Sequence, residues 1–121
     1  MNYLVLSSLV KQTIRELDLV SKIARYDTTW ESLETVEGYE KPPKEEFETK
    51  LQELIDAQPL KELRTKRNTL LEQTDRYATL DYPHSNLVVQ QTWFDYRQAL
   101  RDLPTATEDP ANPVWPTAPS P

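Results

Sequence analysis

Few side chains in this sequence could do chemistry, and their spacing works against most reactions. His84 is the only histidine and there is no cysteine, so nothing stands ready to complete a metal site or a nucleophile–base pair. It reads as an exposed loop histidine. Glu31, Glu34, Glu37 and Glu40 fall at every third position, but acid–base work needs paired carboxylates held in a site. Acidic residues scattered along the chain with a single glycine among them read as a solvated face. One glycine also leaves no phosphate-cradling loop. The reading is a non-enzyme with no catalytic residue, no cofactor and no metal.

Two other groups carry more. Arg67 sits on an apolar helical seam, Arg97 and Arg101 flank a second seam, and Asp75 and Asp102 lie near enough in sequence to pair with them. A seam arginine must find a carboxylate or a carbonyl, because an unpaired buried guanidinium is too costly. Arg67, Asp75, Arg97, Arg101 and Asp102 are therefore expected to form a structural polar cluster that sets the register of two helices. In the last stretch, Pro110, Pro113, Pro116 and Pro119 recur every third residue. A polyproline II helix has three residues per turn, so the four prolines would line one edge with Val114 and Trp115 pointing off it. An indole on such a stiff arm suits docking into an apolar groove with little entropy lost. Trp115, Val114, Pro110, Pro113 and Pro116 are the candidate partner-binding residues.

The elements that must position these groups are mostly helical. Leu9, Val10, Ile14, Leu17, Val20, Ile23 and Ala24 fit an amphipathic helix over Ser8 to Ala24. Arg25 to Glu40 is irregular and reads as an extended loop or short strand. Pro42-Pro43-Lys44-Glu45-Glu46 is a helix start, with prolines preorganised for the first turn and carboxylates on the positive end of the dipole. Phe47, Leu51, Leu54 and Ile55 then share a face. Pro59 is expected to end or kink this helix, and a second helix follows on the seam Leu60, Leu63, Arg67, Leu70 and Thr74, widened by Leu71. Asp75 would lie at its C-terminal end, where the dipole disfavours a carboxylate, so another group should hold it there. Residues 76–86 read as a loop, Ser85 or Asn86 as the next cap. Val89, Trp93, Tyr96, Leu100 and Leu103 make the cleanest pattern, stopped by Leu103-Pro104.

The expected fold is mainly α: a small helical domain with a core hairpin built on Leu63, Leu70, Trp93, Tyr96 and Leu100, the Phe47 helix laid across it. An extended or short-strand linker precedes it and a proline-rich arm follows. The expected segments are 1–41, 42–103 and 104–121. At 121 residues one modest core is the default. A net charge of −6 and a pI near 4.8 disfavour a nucleic-acid partner, since that affinity comes from Lys and Arg releasing counterions. The apolar run Tyr3 to Leu6 is too short to span a bilayer, and no cleavable leader is apparent.

Arg67-Asn68, Leu70-Leu71 and Thr74-Asp75, followed later by the string Tyr96-Arg97-Gln98-Ala99-Leu100-Arg101-Asp102-Leu103-Pro104, carry a resemblance. The chain resembles the phage tail assembly chaperone family from about Pro42 to Pro104, and its Pro-Val-Trp-Pro-Thr tail is similar to the ends of many such proteins. The family commonly has a tryptophan directly after Thr-Asp. Here Arg76 and Tyr77 occupy that stretch, which adds Tyr77 to the partner-binding candidates. The resemblance implies a viral protein acting in tail or virion assembly, found in the virion or in the host cytoplasm during assembly. Its implied partners are tail or other virion proteins, with a homo-oligomer left open. The leading expectation is a protein built into or binding the particle through protein–protein contacts. The alternatives are a transient chaperone of an unassembled tail protein and a proline-arm adaptor.

Overall fold

A computed structural model describes residues 1–120; Pro121, the last residue of the expected arm, lies outside them. The protein is mainly helical, with helices α1 (Tyr3–Glu16), α2 (Lys44–Thr74) and α3 (Leu87–Ala106). A two-stranded antiparallel sheet, β1 (Ile23–Arg25) and β2 (Glu34–Thr35), and two short 3-10 turns (Trp30–Ser32 and Asp75–Ala78) complete it. The chain forms two compact units, Met1–Gln58 and Pro59–Pro121, and the boundary falls inside α2.

The first unit departs from the expected Ser8–Ala24 helix at both ends. Asn2 accepts the Val5 amide on its side chain and starts α1 five residues early. The helix stops at Glu16 in a Schellman arrangement: Leu19 N–H donates to Ile14 O, Asp18 N–H donates to Arg15 O, and Asp18 takes a left-handed φ of 58°. An aspartate tolerates that conformation better than most residues, and it carries Leu19 into the core beside Ile14. The freed chain forms β1, with Ile23 opposite Thr35 and Arg25 opposite Glu34 across a bulge. Gly38 has a φ of 93° in the turn closed by Tyr39 N–H on Val36 O.

The core of this unit gathers Leu9, Val10, Ile14, Leu19, Leu33, Phe47 and Leu51. Trp30 packs against it, donates its indole N–H to Pro42 O at 2.9 Å, and lies under the Lys41 ammonium at 4.4 Å. That indole therefore anchors the residues from which α2 springs. The Phe47 segment thus packs in the first unit and is not a separate helix laid across a hairpin.

Pro59 does not end α2, which runs unbroken for 31 residues. The ring still removes the amide that would bond Ile55 O, four residues back. Beyond it, the second unit gathers Tyr77, Trp93, Tyr96 and Leu100, with Leu70, Leu71, Tyr82, Val89 and Trp115 packed against them. Asn86 caps α3 through Val89 N–H at 2.9 Å. Leu103-Pro104 does not stop α3 either: it continues to Ala106, where the backbone amide and hydroxyl of Thr107 both donate to Leu103 O. The proline ring removes the amide that would bond Leu100 O, while Thr107 closes the last turn on Leu103 O.

Candidate functional site

Two signature arginines join α2 and α3, each by a different route. Arg97 lies on the inner face of α3 and is buried, with 6% of its surface exposed. Its guanidinium is a three-way clasp on the end of α2: it donates to Leu71 O at 2.7 Å, to Thr74 Oγ1 at 2.8 Å and to Asp75 Oδ1 at 2.7 Å. Leu71 O is one of the last four carbonyls of α2, which lack intrahelical partners. A cation there also offsets the unfavourable placement of Asp75 on the negative end of the helix dipole. Thr74 relays the clasp inward, since its hydroxyl donates to Leu70 O at 2.8 Å while accepting from Arg97.

Arg67 crosses in the opposite direction and donates to Arg101 O at 3.4 Å. Arg101 enters this arrangement through its backbone carbonyl. Asp102 stands apart and accepts from Gln98 one turn earlier at 2.9 Å. Of the five residues expected to form one polar cluster, Arg97 meets Asp75 and Arg67 meets Arg101, while Asp102 makes a local pair. The Leu71 carbonyl is an acceptor of the kind a seam arginine was expected to find, whereas the Thr74 hydroxyl was not foreseen. Both lie within the motif stretch, and a buried arginine has five donors to satisfy.

Tyr77 is placed in the core, not on a partner-facing surface. It stacks on Trp93 with centroids 3.9 Å apart and planes 14° off parallel, while Tyr82 and Tyr96 meet this pair edge-on. Burial follows from sequence position: the 3-10 turn after Thr74 rotates Tyr77 back over α3 in the space the clasp leaves beside Trp93. His84, read as an exposed loop residue, is half-buried and bonds Tyr77 O through Nε2 at 2.9 Å. It therefore pins the chain segment that returns to α3.

The proline-rich segment is not an arm held away from the core. Asn112 N–H donates to Asp109 O in a turn that takes in Pro110, so the four prolines do not follow one continuous edge. The chain beyond it lies on its own unit. Trp115 packs against the aromatic cluster and sits 4.5 Å under the Lys66 ammonium. Pro59, Glu62, Leu63 and Lys66 of α2, with Pro110, Ala111 and Pro113, border a cleft of about 250 Å³ beside the indole. Leu63 is buried, Leu70 is half-buried and Val114 stands almost wholly exposed. The indole buries on its own helix because a tethered docking loses less entropy than capture by a separate chain.

Elsewhere on this unit Leu80, Leu87 and Val88 are exposed apolar side chains, and Phe94 is partly so. Among the described residues no group of three or more His, Cys, Asp or Glu is placed to hold a metal ion, and no helix is long and apolar enough to cross a membrane. The second unit is thus a clasped helical hairpin with exposed apolar side chains and a self-docked aromatic. The family model described as phage tail assembly chaperone protein matches residues 60–120, half of the chain, and the protein belongs to that family. The match begins at Leu60, not near Pro42, and runs past Pro104 through the proline-rich segment. No curated protein and no solved structure matches the chain.

Proposed function

We propose that this protein is a transient, non-enzymatic chaperone that binds an unassembled tail protein in the host cytoplasm and leaves before the particle is complete. The family match over residues 60–120 carries this reading, because it takes in α3, the clasp and the docked segment together. It reverses the order suggested by the sequence alone, which put a protein built into or binding the particle first. The exposed Leu80, Leu87, Val88 and Phe94 support it, since a chaperone needs apolar surface to cover that of its client. Trp115, Pro113 and Pro116 remain proposed contact residues, reached once the segment lifts from α2. Tyr77 acts behind the surface by supporting Trp93.

Quantitative mass spectrometry of infected-cell lysate and purified particles tests the proposal. The protein should be abundant in lysate, scarce in particles and associated with one unassembled tail protein. A deletion strain should replicate its genome and fail to assemble tails. A fixed stoichiometry in purified particles would overturn the transient reading in favour of a permanent component.

A further inference from the structure

We propose that the strip of α2 formed by Pro59, Glu62, Leu63 and Lys66 is a receptor groove for a proline-flanked aromatic segment of the unassembled tail protein, and that the protein's own Pro113–Trp115–Pro116 segment is a latch seated in it. This rests on the chaperone reading above and adds the place and chemistry of recognition. The chain itself displays the ligand that fits. An indole lies beneath an ammonium at 4.5 Å, with prolines half-buried on either side of the Val114-Trp115 pair. An aromatic face attracts a cation, and flanking prolines hold the segment extended before it binds.

Two features make the latch displaceable. Among the described residues no backbone hydrogen bond reaches the segment from Pro113 to Ser120, so it lifts off without breaking a ladder or a turn. The segment also underfills its seat, since the cleft of about 250 Å³ beside Trp115 stays open next to the buried Leu63. A client segment with an aromatic residue and one further apolar side chain fills that space and gains over the latch. A second copy's arm brings the same side chains and gains nothing. The groove and the latch both fall almost entirely within the family match at residues 60–120.

The test uses the full chain and a fluorescein-labelled peptide of residues 109–120 as probe. A tethered arm competes at an effective concentration on the order of millimolar. Full-length Trp115→Ala should therefore bind the peptide at least about tenfold more tightly than the wild type. A peptide with its own tryptophan replaced by alanine should not bind. The double variant Pro113→Gly/Pro116→Gly keeps the indole, loosens the arm and should fall between the two, which protects the test against a folding defect in Trp115→Ala. Equal binding by all three chains, equal binding of both peptides, or a wild-type dimer dissociated by Trp115→Ala would overturn the groove. Co-purification with tail proteins separates the two proposals. Peptide binding as expected with no tail protein bound to any variant keeps the latch in its seat on α2 and removes the tail protein as client together with the chaperone reading. A tail protein bound alike by all variants removes the groove alone.

Discussion

Arg97 concentrates three acceptors on one buried guanidinium, so its substitutions should separate charge from geometry. Arg97→Leu strips the Leu71 carbonyl and Thr74 of their partner and should destabilise the second unit by about 2–4 kcal/mol, measured by urea unfolding. Arg97→Lys keeps the charge but offers a point donor where a planar fork reached three oxygens, and should still cost about 1–2 kcal/mol. Asp75→Ala should cost less than about 1 kcal/mol, because that carboxylate is 64% exposed and solvent screens the pair. If Asp75→Ala proved as damaging as Arg97→Leu, the clasp would be an ion pair first and a helix cap second. An exposed pair in the first unit gives the pH signature. Lys44 beside Glu31, with N–O separation 2.6 Å, holds that carboxyl below its ordinary 4.5 through a hydrogen bond and its charge. A depressed carboxyl contributes stability above its unfolded value and loses it as the pH falls through the folded one. An NMR titration should therefore show Glu31 protonating below 4.5, and Lys44→Ala should move it up.

At the scale of elements, the unbroken α2 poses the sharpest question. Proline inside a helix costs about 3 kcal/mol in exposed model helices, yet Pro59 sits mid-helix and borders the groove beside Trp115. Pro59→Ala should stabilise α2 by about 1–3 kcal/mol, seen as slower amide exchange at the residues on either side of position 59, while weakening the seat of the indole. Helix α2 was legible from its start at Pro42-Pro43-Lys44 and from its seam, but not its continuity, because a local rule about proline cannot register the packing on either side of residue 59. The end of α1 was hidden for the opposite reason. Leu17, Leu19, Val20 and Ile23 continue an apolar pattern across a left-handed Asp18 that lacks the usual glycine signal. The arginines of the signature were readable as groups needing partners; which oxygen each would meet depended on the turn after Thr74, which no spacing rule specifies.

For the whole molecule, the decisive quantity is how much stability the docked segment contributes compared with what it withholds from a partner. Trp93 is 3% exposed and stacked on Tyr77, so Trp93→Ala should cost about 3–5 kcal/mol and unravel the second unit. Trp115 is only half-buried and its cation–π contact lies at the surface. Truncation after Glu108, which leaves the Thr107 cap of α3 in place, should therefore cost about 1–2 kcal/mol, combining a surface cation–π contact with partial burial of one indole. In a unit of this size that lowers the melting midpoint by several degrees, followed through the near-ultraviolet signal of the Tyr77–Trp93 stack. A latch must have this intermediate strength. Were it worth as much as Trp93, no client segment could displace it, and the proline-rich segment would be a permanent brace. With no measurable loss on truncation, the segment would be free in solution and the groove open at all times. A loss between these limits, accompanied by stronger capture of a tail protein, is the combination that a self-occluded chaperone requires.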